Sequence, residues 1–216
     1  MARELVIATN NLKKFHEMHA LLQVLEEENI RILSLRDCPP YPEPDEDGDD
    51  YITNALIKAR AAVAHTGRVC IADDSGLEVD YLGGKPGVHS KRFAGEETPW
   101  DVKIARLLEL LEGVPQEQRT ARFNSVVAIS TPWDAEYILR DTCKGWIYWE
   151  PLGEHGFGYD PIFYLPELGC TMAELPMERK NRISHRAKTL SAAIPLLRWI
   201  FGKEMPSRPH HPPERV

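Results

Sequence analysis

A short apolar run from Glu4 to Ala8 gives way to polar Thr9-Asn10-Asn11, and behind it Phe15, Met18, Leu22 and Leu25 recur at helical spacing. Apolar side chains three to four residues apart share one helix face, so the pattern predicts a strand and then an amphipathic helix over Lys13 to Glu28. Arg31 to Leu35 reads as a second strand. Tyr51 to His65, rich in alanine and ended by Gly67, reads as a second helix. Val69-Cys70-Ile71-Ala72 is short, apolar and bounded by Gly67 and Gly76, which predicts a buried strand stopping at Ser75-Gly76. Leu77 to Tyr81 alternates as a half-buried strand, and Gly83 to Gly87 is a tight loop. Thr98-Pro99 opens a helix, threonine as cap and proline at the first position, with Val102, Ala105, Leu108 and Leu111 facing inward.

Farther on, Ala121 to Ser130, Tyr137 to Asp141 and Gly145 to Trp149 read as strands. Pro151 to Pro161 is a glycine-rich loop leading into apolar Ile162-Phe163-Tyr164. Ser184 is placed to cap a last helix running to Phe201, with Gly202 beyond its end and a kink expected at Pro195. The proline-rich tail from Pro206, with His210 and His211, is expected to be disordered. Helices and strands alternate in the first half and strands follow one another in the middle, which predicts an α/β protein with a mixed sheet.

Between the second strand and second helix, Pro-rich residues Asp37 to Asp50 crowd Glu43, Asp45, Glu46, Asp47, Asp49 and Asp50 together. Such density keeps a loop solvated or neutralised by a cation. The 216 residues suffice for one large domain or two small lobes, and 43% hydrophobic with 27% charged residues is a globular composition. A formal charge of −7 argues against a nucleic-acid partner but leaves room for a nucleotide held by local cations. The four cysteines form no CxxC pair, so a zinc site or redox dithiol is not expected. Leu5 to Ala8 is too short for a secretory apolar region and no run is long enough to span a bilayer, so the expected location is the cytoplasm.

Four constellations carry chemistry. Asp73 and Asp74 sit at the mouth of the Val69 strand, where carboxylates can hold a hard cation; a capped turn is the other reading of Asp-Asp-Ser-Gly. Thr9 to Lys14 join strand to helix, where backbone N–H groups, the helix dipole and Lys14 favour an anion; simple capping by Asn11 competes. No P-loop or Rossmann string occurs. Gly156 to Pro161 can present an aromatic ring between glycines for stacking, or form a tight turn with the ring buried. Lys180 and Ser184-His185-Arg186 supply donors, with a capped basic helix start as the alternative.

Taken in order, T-x-N-x-x-K-x-x-E (Thr9, Asn11, Lys14, Glu17), A-D-D-S-G-L (Ala72 to Leu77), L-G-G-x-P-G (Leu82 to Gly87), F-G-Y-D-P (Phe157 to Pro161) and S-H-R (Ser184 to Arg186) resemble one family, the non-canonical purine nucleoside triphosphate pyrophosphatases. The resemblance covers nearly all of residues 4–200. It implies Mg²⁺-dependent hydrolysis of ITP, dITP and XTP to the monophosphate and pyrophosphate. It also implies a homodimer of two-lobed α/β subunits, residues 1–205 here, with a long mixed sheet flanked by helices and the active-site cleft between the lobes. Matched position by position, Thr9, Asn10, Asn11, Leu12, Lys13 and Lys14 would hold the triphosphate, and Lys58 would lie near the phosphates. Asp74 would bind metal and accept the proton of the attacking water, and Glu46 would be the second metal ligand, with Glu43 as its rival. Ser75 would touch substrate, and Phe157, Gly158, Tyr159 and Asp160 would form the base pocket with Lys180, His185 and Arg186.

Donors there suit a purine with oxygen at position 6 and leave adenine's amino group facing donors, a costly arrangement. The sequence departs from the family at Asn10, commonly glycine, and at Thr53, often glutamate. A pyrophosphatase acting on methylated or pyrimidine nucleotides and a nucleotide sensor without turnover are the rival readings.

Overall fold

The computed structural model describes residues 3–42 and 44–202, with the backbone of 214–215. Glu43, His210 and His211 lie outside the described residues. One mixed sheet has the strand order β2-β1-β3-β4-β5-β6-β7, with β8 on β5. These strands are β1 (Glu4–Ile7), β2 (Arg31–Ser34), β3 (Val69–Val79), β4 (Thr120–Ser130), β5 (Glu136–Ile147), β6 (Phe163–Leu165), β7 (Cys170–Thr171) and β8 (Glu214–Arg215). The helices are α1 (Leu12–Leu22), α2 (Tyr51–Thr66), α3 (Trp100–Glu109), α4 (Met177–Ile183) and α5 (His185–Ile200). An α/β chain with a long mixed sheet is therefore what forms. Among the described residues, no helix is long and apolar enough to cross a membrane.

The chain divides into two compact units. The first comprises 1–74, 125–141 and 186–216, the second 75–124 and 142–185. In the first, β1 lies parallel to both β2 and β3. Its alternation serves two cores at once. Leu5 and Ile7 join Met18, Leu22, Leu190 and Leu197 on one face, while Val6 and Ala8 meet Leu33, Ala55, Ala59 and Ala62 of α2 on the other. A parallel strand buried on both faces reads as a continuous apolar run, which is why Leu5 to Ala8 stood out. In the second unit, β5, β6 and β7 pair antiparallel over a core of Leu77, Ile104, Leu107, Phe123, Phe163 and Met172.

Five local expectations are corrected. First, β3 does not stop at Ser75-Gly76 but runs on to Val79. The backbone ladder is indifferent to side-chain charge, and the two aspartates find cations on one side or the other, as described below. Second, Tyr137 to Trp149 is mostly one strand, β5, whose polar Arg140 and Asp141 point to solvent. Third, α1 tightens into a 3₁₀ turn over Gln23–Glu28, closed by Asn29 at φ 60°. Fourth, the buried side of α3 is Lys103, Ile104 and Leu107, continued by Leu111, while Val102 is half exposed. A run at strict three-residue spacing drifts around a helix of 3.6 residues per turn, so it could not all face inward. Lys103 lies inside because its ammonium caps the carbonyls of Lys91 and Glu96 while its stem is covered. Fifth, Thr98 does not cap this helix; its hydroxyl donates to Ala94 O at 2.7 Å.

Candidate active site

The first unit gathers charge at the middle of β3. Successive strand residues point to opposite faces, so neighbouring Asp73 and Asp74 serve different partners. Asp73 turns into the core. Its Oδ1 accepts from Ser125 Oγ at 2.9 Å, and its Oδ2 accepts from Arg186 Nη2 at 3.0 Å and meets Lys14 Nζ at 3.1 Å. Arg186 in turn donates to Glu17 Oε2 at 2.5 Å. Burial alone would raise the Asp73 pKa, but Arg186, Lys14 and Lys58 outweigh it and hold the carboxyl well below the usual range. Asp73 is therefore a fixed negative charge.

Asp74 faces α2. Lys58 Nζ donates to Asp74 Oδ1 at 2.9 Å, to Asp73 O at 2.9 Å and to Glu46 Oε2 at 3.1 Å. All three ammonium protons thus have oxygens, the condition under which a buried lysine keeps its charge. Burial works against that charge, and the Asp74 and Glu46 carboxylates more than compensate. The Asp74 carboxyl is itself pushed upward by burial, with Lys58 and Lys14 only partly offsetting it. Among the described residues, Asp74 takes its hydrogen bond at Oδ1, and Oδ2 receives none. A carboxylate with a raised pKa and one open oxygen is equipped to accept a proton.

Glu46 reaches this group from the acidic loop. Asp45, Asp47 and Asp49 are exposed, whereas Glu46 and Gly48 are drawn inward. Asp74 and Glu46 fit Mg²⁺, which takes one or two protein carboxylates and completes its shell with phosphate and water. No group of three or more His, Cys, Asp or Glu that could hold a metal exists among the described residues.

At the start of α1, Asn11 Oδ1 accepts from Lys13 N and Lys14 N at 3.0 and 3.2 Å, and Thr9 Oγ1 accepts from Asn11 N at 3.2 Å. Capping and anion binding are thus compatible here. Asn11 organises the turn, while Asn10, Leu12 and Lys13 remain exposed at the positive end of the helix. Asn10 is not among the described non-glycine residues with positive φ, so its replacement of glycine carries no strain. Thr53 donates its N–H and hydroxyl to Asp50, reinforcing the α2 cap.

In the second unit, Asp160 Oδ2 accepts from Phe157 N at 2.9 Å and from Lys180 Nζ at 2.7 Å. Gly156 and Gly158 adopt φ 75° and 67°, and a Cβ at Gly156 would lie 2.1 Å from Asp160 Oδ2. The glycines are what let this turn close on its carboxylate. Lys180 Nζ lies 5.0 Å from the centre of the Phe157 ring. Tyr159 is different: its ring is buried in the core, edge-on to Trp100 at 5.2 Å. It can serve a ligand only through its backbone. His185 stacks on Phe123 at 4.8 Å, and Ser75, half-buried, belongs to this unit's part of β3.

The structure thus brings Thr9 to Lys14, Glu46, Lys58 and Asp74 into the first unit, and Phe157 to Asp160, Lys180 and His185 into the second. Arg186, expected as a donor to the base, donates to Asp73 and Glu17 in the first unit. Glu17, Asn54 and Ser125 are the partners that received no role from the sequence. Glu17 left a trace, a carboxylate beside Met18 on the buried face of α1.

Residues 5–196 match the model of the Ham1 family. The chain is 51% identical over 189 residues to the dITP/XTP pyrophosphatase of Geobacillus kaustophilus (strain HTA426), covering 88% of this chain and 91% of that protein. It is 42% identical over 195 residues to the dITP/XTP pyrophosphatase of Bacillus subtilis (strain 168), covering 90% and 97%. Among solved structures, a HAM1 protein from Coxiella burnetii superposes with a TM-score of 0.81 at 40% identity, covering 90% of this chain and 98% of that one.

Proposed function

We propose that this chain, which belongs to the Ham1 family, hydrolyses non-canonical purine nucleoside triphosphates of the dITP, XTP and ITP class to the monophosphate and pyrophosphate. The observation that carries the mechanism is the convergence of Asp74 and Glu46 on one ammonium, next along β3 from the Lys14–Asp73 pair. Asp74 and Glu46 would hold Mg²⁺, which when bound neutralises phosphate charge and makes the phosphorus a better electrophile. Asp74 accepts the proton of the attacking water. The start of α1, with Lys14 and the exposed residues Asn10 to Lys13, binds the triphosphate. Asp73 stays ionised throughout and keeps Lys14 aimed. On the second unit, Phe157 offers a face to the purine, and Asp160, Lys180 and His185 supply the polar contacts. A homodimer in the cytoplasm belongs to the same reading and rests on the family resemblance.

The test is pyrophosphate release from ITP with Mg²⁺, beside ATP and GTP, with orthophosphate followed in parallel. Pyrophosphate from ITP with little from ATP is expected. Orthophosphate alone would make the protein a phosphatase, and binding without product would make it a sensor. Asp160→Asn should then relax base choice. It takes the negative charge out of a buried charge-assisted hydrogen bond with Lys180, of a kind that contributes about 1.5–3 kcal/mol. The ITP-to-ATP ratio of kcat/KM is expected to drop roughly 10- to 100-fold. An unchanged ratio would remove Asp160 from base selection.

A further inference from the structure

Asn54 lies in the first turn of α2 and is almost fully buried, 1% exposed. Its amide pairs with both backbone groups of a single loop residue: Gly48 N donates to Asn54 Oδ1 at 2.9 Å, and Asn54 Nδ2 donates to Gly48 O at 3.2 Å. The fit is close on both sides, since a Cβ on Gly48 would lie 2.7 Å from Asn54 Oδ1 and 2.7 Å from Thr53 Cγ2. Only glycine opposite an amide makes this contact. At its other end the same loop is held by a second contact with α2: His65 stacks on Tyr41 at 4.5 Å, and its Nε2 lies 2.6 Å from Pro39 O.

Glu46 hangs between these two fastenings, two residues before Gly48. Burial alternates along Pro44 to Asp49, so Glu46 and Gly48 share the inward side while Asp45, Asp47 and Asp49 face water. Left alone, a segment with this many like charges would spread. Fastening Gly48 selects which acid turns in. We infer that Asn54 is a positioning residue for the proposed cation site. By fixing Gly48 it sets the register that delivers Glu46, and not a neighbouring acid, to Asp74. This rests on the reading of Glu46 as a cation ligand.

Asn54→Asp tests the inference with little change of shape. The carboxylate can still accept from Gly48 N but no longer donates to Gly48 O. Mn²⁺ binding to the protein alone, followed by electron paramagnetic resonance, is expected to weaken about 10- to 100-fold, the range for partners that orient metal ligands. Amide hydrogen exchange over 44–49 should speed up in parallel. Gly48→Ala attacks the same contact from the loop side and should reproduce both effects, so a folding defect peculiar to one variant does not decide the matter. Faster exchange with Mn²⁺ affinity at the wild-type level would make the contact merely structural and overturn the proposal. Glu46→Gln separates the two layers. If it weakens Mn²⁺ binding and the Asn54 and Gly48 variants do not, only the positioning role falls. If none of the three does, the ligand reading falls with it.

Discussion

Asp74→Asn is expected to give a folded protein whose pyrophosphate release from ITP falls by about 10²- to 10⁴-fold, the range a positioned general base supplies. Asparagine has the same shape. Its amide oxygen can still accept from Lys58, whose ammonium keeps Asp73 O and Glu46. The buried carboxylate of Asp74 is one that its surroundings already disfavour in the charged form, so neutralising it costs the fold little. Stability and turnover should therefore part company. Thermal melting should stay near the parent value while product formation collapses. Normal turnover from folded Asp74→Asn protein would end its assignment as proton acceptor. A protein that unfolds would instead make Asp74 a structural partner of Lys58. Asp74→Glu keeps the base but moves it by one methylene, and should fall between.

Arg186→Met is expected to do the reverse and strike stability first. The Arg186 side chain is 2% exposed, and it separates two carboxylates that are each 1% exposed, Asp73 and Glu17. Removing one member of a buried ionic group costs about 3–5 kcal/mol because the charges left behind stay in the interior. For a domain of this size that is a fall in melting temperature of roughly 6–20 °C. Arg186→Lys restores charge without the two-pronged geometry and should recover part of the loss. The effect also has a pH signature. Asp73 is held well below its ordinary pKa by Arg186, Lys14 and Lys58 against the effect of burial. A carboxyl depressed on folding contributes stability above its unfolded pKa, about 3.9, and that contribution is lost as pH falls through the folded value. In Arg186→Met the depression shrinks, so the contribution present above the unfolded pKa shrinks, and what remains is lost at a higher pH than in the parent protein. Urea midpoints followed from neutral pH to well below pH 4 measure both effects. If Arg186 acts instead mainly as a donor to the base, melting will hardly move and KM for ITP will rise.

Periodicity and punctuation placed most of the fold. The apolar run Leu5 to Ala8, the alanine-rich α2 with Gly67 after it, and the alternation of β4 are local signals, because strand burial and helix faces repeat over a few residues. The motif order identified the family before any coordinate, and residues 5–196 match its model. The same local logic misjudged Asp73-Asp74-Ser75-Gly76 as a strand end, since nothing nearby in sequence reveals that Lys14, Lys58 and Arg186 are there to meet those charges. It also turned α3 slightly, because the alternative inward residue was a lysine whose carbonyl partners lie earlier in the chain.

What the sequence determined by itself was the kind of chemistry: acids after a strand, cations at helix ends, a glycine-flanked aromatic. Which of those charges work on substrate and which hold the protein together was decided only by tertiary structure. Asp73 and Asp74 are indistinguishable as letters, yet the pleat of β3 sends one into the core against Arg186 and the other toward Lys58 and Glu46. Arg186 and Glu17, 169 positions apart, meet in the interior, and Asn54 grips a glycine six residues before it. Electrostatic partnership depends on distance and burial, and a linear pattern carries neither for residues that the fold alone makes neighbours.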